Sequence, residues 1–285
     1  MSFTDRPREY SCAPLCGALF LPVSASVCYW HYAADPFFNM AFDDAMLGQV
    51  LHNPQCRFFR LYTWAPGTIT IGVNQKPEKA VCLERLGKTP LIRRSTGGRA
   101  VYHDVSELTY SIALDCGQLA LPCQGESLSA VYLRLSRGLQ SFLTELGISA
   151  QIVRRSGIDS GQEGQASVRS CFASTARYEL VADGKKILAA AQRRVRTAIL
   201  QHGSIKINGV APHPALPDLV PGDSWNAQPL DRSRLEVLAM SFGRSFSGFF
   251  GDSDFTVSDS SYPFPELRQR VASLRENPLS KRDLN

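Results

Sequence analysis

The chain has 285 residues, of which 44% are hydrophobic and 20% charged, which suits an ordinary globular protein with room for a substantial core. Its 31 lysines and arginines against 26 acids give a formal net charge of +5, a modest bias toward acidic partners and far from a composition that implies nucleic acid. Eight cysteines, at positions 12, 16, 28, 56, 82, 116, 123 and 171, are scattered without CxxC pairs or zinc-spaced histidines. That pattern predicts no disulfide framework, no metal, and a cytoplasmic location with reduced thiols.

The stretch from Ser11 to Tyr29 carries no charge and includes APLCGALFLPV. Asp5, Glu9 and two prolines argue against a cleaved signal, and the apolar run is too short to span a membrane. Residues 1–27 are expected to form a partly ordered leader and residues 28–285 a single domain, with the first strand near Val27 to Tyr32. Asp35-Pro36 then reads as the N-cap and first residue of a helix that continues through Met40, Ala41, Asp44, Ala45, Leu47, Val50 and Leu51. Arg57 to Thr63 and Thr68 to Val73 read as strands joined by the turn Trp64-Ala65-Pro66-Gly67, a connection suited to a hairpin. A short helix near Pro77 to Leu86 leads into a β-rich block: Pro90 to Arg94, a TGG turn, Ala100 to Tyr102, and Glu107 to Leu114.

Apolar residues at 131, 135, 139, 142, 143 and 146 have helical spacing, and Gly147 is placed to end that helix. Ser156 to Val168 lacks large apolar residues and is expected to be a mobile loop. Asp183-Gly184, between Tyr178 to Val181 and Lys186 to Ala191, is the strongest short hairpin signal in the chain and puts Lys186 at the start of a strand. Another strand is expected over Val195 to Lys206, and helices over Leu235 to Phe242 and Pro265 to Leu274. The sum is an α+β fold, a mixed, curved sheet backed by helices.

Two segments carry candidate chemistry. In RRSTGGRAVYHD, the residues Arg93, Arg94, Gly97, Gly98 and Arg99 form either a plain hairpin turn or a loop whose amides and guanidinia receive a carbonyl or phosphate. It is neither a Walker loop nor a GxGxxG turn. In CFASTARYELVADGKKILAAAQRR, Cys171 stands fifteen positions before Lys186. A thiolate is nucleophilic toward thioesters, and Arg169, Lys185, Lys186 and Arg193 are cations that would lower its pKa. The plain alternative for Cys171 is a small buried core residue. His103 and His202 are candidates for a base paired with it, or else hydrogen-bonded strand and turn histidines. Lys186 either snorkels from a strand edge or polarises a thioester carbonyl.

Taken together, DPFFNMAFDDAML, RFFRLYTWAPGTITIGVNQ, RRSTGGRAVYHDVSELTYSI, CFASTARYELVADGKKILAAAQRR and ILQHGSIKI resemble, in order, the blocks of the lipoate and octanoate transferase and ligase family, whose core fold is shared with biotin protein ligases. The match runs from about Tyr29 to Asn208, so the domain would be catalytic. CF followed by YEL, GKKI and AQ is most similar to the octanoyltransferases that take octanoate from acyl carrier protein. The resemblance implies that Arg93 to His103 covers the acyl chain, that Cys171 becomes the acyl thioester and that Lys186 contacts the carbonyl. Gln192, His202 and Gly203 join Arg93, Arg94, Gly97, Gly98, Arg99 and His103 as its substrate-binding residues.

The reaction so implied is octanoyl transfer from octanoyl-acyl carrier protein to a lysine of the glycine-cleavage H protein or another lipoyl domain, with no cofactor, nucleic acid or membrane. The alternatives are an amidotransferase using octanoyl-H protein, an ATP-dependent lipoate ligase, and a noncatalytic relative of the fold. Ala189-Ala190-Ala191-Gln192 stands where the family usually has Gly-Ser-Ala-Gln, a departure that would narrow or reshape the acyl tunnel.

Overall fold

The computed structural model describes residues 26–119, 128–153, 179–209, 212–216, 229–252 and 255–280. Ser156 to Val168 and Cys171 lie outside them, as does most of the N-terminal segment. The chain enters through β1 (Ser26–Ala34), α1 (Pro36–His52) and β2 (Arg57–Trp64). It continues through β3 (Thr68–Ile71), the single turn α2 (Pro77–Ala80), β4 (Leu91–Arg93), β5 (Val101–His103) and β6 (Leu108–Asp115). Beyond lie α3 (Leu128–Glu145), β7 (Gln151–Val153), β8 (Glu179–Ala182), β9 (Lys185–Lys186), β10 (Leu188–Val195) and β11 (Ala198–Ile205). The last elements are α4 (Arg232–Phe250), β12 (Thr256–Ser258) and α5 (Leu267–Glu276).

Six strands form the main sheet in the order β10-β11-β6-β2-β1-β12. It is mixed: β1 runs parallel to β2 and β12, whereas β2, β6, β11 and β10 are successively antiparallel. One face packs α1 and α5 in a core that includes Phe42, Met46, Phe58, Leu200 and Leu267. The other packs α3 and α4 through Phe59, Tyr110, Leu139, Phe142, Phe242 and Phe246. Two three-stranded sheets, β4-β3-β5 and β7-β8-β9, complete the architecture.

Local signals account for most of these elements. The Asp35 side chain caps α1 by accepting from the amides of Phe37 and Phe38 at 3.1 and 3.0 Å, and Pro36 supplies the first helical residue. The apolar stripe of α3 is buried as its spacing predicts: Val131, Leu135, Leu139, Phe142 and Leu143 are all within the core. Asp183 and Gly184 take positive φ angles of 49° and 73°, the conformation of a two-residue hairpin turn between β8 and β9.

The hairpin expected around Trp64-Ala65-Pro66-Gly67 is a correction. β2 and β3 are both strands but belong to different sheets. Both edges of β2 are already occupied by β1 and β6, and β3 pairs instead with β4 and β5. Lys186 also ends the short strand β9 where a longer strand was expected; Ile187 intervenes before β10 joins the main sheet. The strands β7 and β12, three residues each, are too short to leave a readable alternation. Among the described residues, Cys28, Cys56 and Cys82 are free thiols, and no helix is long and apolar enough to cross a membrane.

Candidate active site

Helix α1 is buried almost all round between the main sheet and α5, which forces its polar side chains to find partners inside the protein. Asp43 is the centre of the resulting network. Its Oδ1 accepts from Arg60 Nη1 at 3.0 Å and from the Ser111 hydroxyl at 2.8 Å. Its Oδ2 accepts from the Tyr62 hydroxyl and from His202 Nδ1, each at 2.9 Å. Burial alone would raise the Asp43 pKa, but hydrogen bonds from His202 and Ser111 and the charge of Arg60 hold it below the ordinary carboxylate value. Burial, with the Asp43 charge, pushes the Tyr62 hydroxyl well upward and keeps it a donor. Arg60 reaches back through Nε to His31 Nδ1 at 3.1 Å, and burial lowers His31 well below its usual range, so that nitrogen remains an acceptor.

A pocket opens beside this network. Its wall is largely apolar: Met40 from α1, Tyr62 and Trp64 from β2, Val101 from β5, and Ala189, Ala190 and Ala191 from β10. Polar groups enter at defined places, namely Thr70, Arg94, His103, Thr109, His202, Gly203 and Ser204.

The two histidines of this wall are arranged alike. His202 faces Asp43 through Nδ1 and the Thr96 hydroxyl through Nε2 at 2.6 Å. His103 faces Glu107 Oε1 through Nδ1 at 2.7 Å and the Thr70 hydroxyl through Nε2 at 2.8 Å, and its ring stacks on Trp64 with centroids 4.4 Å apart. In each ring a carboxylate engages Nδ1 and a threonine hydroxyl engages Nε2, so both nitrogens are held inside the protein. Glu107 Oε1 also accepts from Thr109 and Ser204, both at 2.7 Å, so it organises this second wall as Asp43 organises the first.

The segment between β4 and β5 is a wound turn. Arg94, buried at the pocket, donates through Nε and Nη2 to the Gly97 carbonyl at 3.1 and 2.9 Å, through Nη2 to the Arg99 carbonyl at 2.6 Å, and through Nη1 to the Thr70 carbonyl at 3.1 Å. Gly98 has φ +89°, and a Cβ there would lie 2.7 Å from Arg94 Nη2 and 3.5 Å from the Ala191 methyl, so the turn rests on β10. Ser95 donates to Asp44 Oδ1 at 2.5 Å, tying the turn to α1. Arg93 points elsewhere, to carbonyls of Gly72, Val73 and Gln75 at 3.1, 3.0 and 2.6 Å.

Of the residues singled out in the sequence, Arg94, His103, His202 and Gly203 therefore line one pocket, and Gly97, Gly98 and Arg99 form the turn beside it. Gln192 lies next to that wall and donates to Gln201 Oε1 at 2.5 Å, while Gly203 is needed for strand approach, since a Cβ would sit 2.2 Å from the Ala189 carbonyl oxygen. Lys186, on β9, is half-buried and Lys185 is exposed. Cys171 lies outside the described residues. Asp43, Arg60, Thr96 and Glu107 were not legible as site residues. The available signal was the carboxylate pair Asp43-Asp44 in the middle of the largely apolar stretch from Met40 to Leu47, since an acid at a core position demands a buried partner.

Residues 35–213 match the family described as the lipoyl protein ligase A/B catalytic domain. Octanoyltransferase LipM of Macrococcus caseolyticus is 41% identical over 174 residues, covering 60% of this chain and 62% of that protein. Octanoyltransferase LipM of Brevibacillus brevis is 38% identical over 186 residues, covering 63% of this chain and 66% of that protein. The matched stretch thus spans somewhat less than two thirds of these relatives. Among solved structures, a bipartite lipoate protein ligase from Thermoplasma acidophilum superposes with a TM-score of 0.63 at 18% identity, covering 92% of this chain and 99% of that one. Lipoate-protein ligase A bound with ATP superposes with a TM-score of 0.61 at 18% identity, covering 91% of this chain and 96% of that one. Both share the mixed-sheet fold.

Proposed function

Because the chain belongs to the lipoyl protein ligase A/B catalytic-domain family, we propose that it is an octanoyltransferase of lipoate biosynthesis that moves octanoate from acyl carrier protein to a lipoyl-domain lysine. The observation that carries this reading is the apolar pocket walled by Ala189, Ala190, Ala191, Met40 and Val101 beside the Arg94-wound turn. Each buried methylene of an octanoyl chain is worth roughly 0.8 kcal/mol before binding costs, so a pocket of this kind can measure chain length.

The reaction is a double displacement. The Cys171 thiolate attacks the donor thioester carbonyl, forming octanoyl-S-Cys171 as the carrier thiolate leaves and takes up a proton. The acceptor lysine amine then attacks that carbonyl, an amide forms, a proton is lost from the nitrogen, and Cys171 regains its thiolate. Lys186 stabilises the oxyanion in both steps. His103 and His202 fit positioning roles in this scheme, since the Nε2 of each is already engaged by a threonine hydroxyl. The free thiols at Cys28, Cys56 and Cys82 support a cytoplasmic setting for the reaction.

Intact mass tests it directly. Mixed with octanoyl-acyl carrier protein and no ATP, the chain should gain one hydroxylamine-labile octanoyl group, and an added H protein should then remove it. Cys171→Ala should gain none, and Lys186→Ala should lose far more rate than Lys185→Ala, roughly a hundredfold to a thousandfold. Modification of H protein only with free octanoate, ATP and magnesium would reject the transferase in favour of a ligase.

A further inference from the structure

Resting on the acyl-transfer reading, we propose that the segment Pro278–Leu279, far beyond the family match, is a positioning element of the acyl site that acts through Arg93. β4 is the edge strand of its sheet, pairing with β3 on one side only. The amide of Arg93 points to the open side, where it donates to the Pro278 carbonyl at 2.8 Å. The Arg93 guanidinium donates through Nε to the Leu279 carbonyl at 2.6 Å. The same backbone segment therefore satisfies both the main chain and the side chain of one buried arginine.

The tail holds this shape by its own bonds. After α5, the Ser280 amide and hydroxyl both donate to the Asn277 carbonyl, at 3.2 and 3.0 Å, closing a turn that presents the Pro278 and Leu279 carbonyls to Arg93. Leu267, Val271 and Leu274 bury the inner face of α5 in the core shared with α1, and Arg275 pairs with Asp35, the α1 cap, at 3.0 Å.

Arg93 passes this restraint to the turn beside the pocket. Its Nη1 gathers the carbonyls of Gly72, Val73 and Gln75. That loop abuts the turn: the Val73 amide donates to the Thr96 carbonyl at 2.8 Å, and a Cβ on Gly72 would lie 2.1 Å from the Gly98 carbonyl oxygen. Thr96 in turn bonds His202, in the pocket wall. A guanidinium holding four carbonyls from two segments fixes direction as well as distance, which a lysine ammonium does not do.

The experiment compares the full chain with one ending at Ser280 and one ending at Asn277. The readouts are kcat/KM for octanoyl gain from octanoyl-acyl carrier protein, thermal midpoint, and hydrogen exchange at the Val73 amide. The chain ending at Ser280 should match the full chain within about twofold, while the one ending at Asn277 should lose roughly tenfold to a hundredfold in kcat/KM and its Val73 protection, the scale of a misplaced reacting group. Equal rates and equal Val73 protection in the two shortened chains would overturn the proposal. Should the shorter chain not fold, Arg93→Lys in the full chain must reproduce both losses with a thermal midpoint within a few degrees of the parent; unchanged kcat/KM and Val73 exchange would overturn it equally. A full chain that gains no octanoyl group at all would reject the transferase reading, and Val73 exchange would still judge the tail.

Discussion

The six-stranded sheet and the β4-β3-β5 sheet both contribute walls to the pocket and both bury arginines, but they accommodate the charge in different ways. Arg60, wholly buried in the large sheet, meets a carboxylate at 3.0 Å and lies over the rings of Tyr62 and Phe42, with its guanidinium carbon 4.0 and 4.3 Å from their centroids. Arg93, at the end of β4 in the small sheet, and Arg94, in the turn after it, draw together backbone carbonyls of the loops around them. The first arrangement is a side-chain charge network, sensitive to the loss of any one partner. The second is a way of winding the backbone, in which the guanidinium shapes a turn that has little apolar content of its own.

The largest expected effect breaks the first arrangement. Asp43→Asn leaves Arg60 buried without its counter-charge, which should cost about 3–5 kcal/mol in denaturant-unfolding free energy. A loss below about 1 kcal/mol would show that the network contributes little. Next comes the strand contact at the pocket wall: Gly203→Ala forces a methyl against the Ala189 carbonyl and should cost about 1–3 kcal/mol through displacement of β10. Equal stability of parent and variant in urea would contradict that packing.

A smaller effect follows from His31. Its folded pKa is depressed by burial and by Arg60, so the unfolded chain binds a proton more readily. The stability it contributes is therefore complete above the unfolded value of about 6.5 and is lost as pH falls from there toward the folded value. His31→Gln should flatten the stability profile between about pH 6.5 and 5; an unchanged slope in that window would assign the acid sensitivity to other groups. Asp43 has the same sign at lower pH, with its contribution lost as pH falls below the ordinary carboxylate value. The smallest effect belongs to the wound turn. A Cβ on Gly97 meets nothing within 4 Å, so Gly97→Ala should change stability by less than about 0.5 kcal/mol, and a larger loss in thermal unfolding would show strain in the turn.

The amino-acid sequence by itself determined what depends on neighbours in the chain. The Asp35-Pro36 start of α1, the apolar stripe of α3 and the Asp183-Gly184 turn each rest on contacts between residues a few positions apart, and each formed as expected. The motif blocks around the pocket were legible too, and the structure brings Arg94, His103, His202 and Gly203 from two strands and a turn to one cavity. The separation of β2 from β3 was not legible, because two good strands joined by a turn signal a hairpin unless the edges between them are already occupied. The division of labour among the arginines was equally hidden: RRSTGGR presents three alike cations, and only the fold points Arg93 at the tail and Arg94 at the turn. Asp43 and His202 are 159 residues apart in the chain. No periodicity or spacing records such a pair; it exists because packing excludes water from both groups and leaves each as the other's available hydrogen-bond partner.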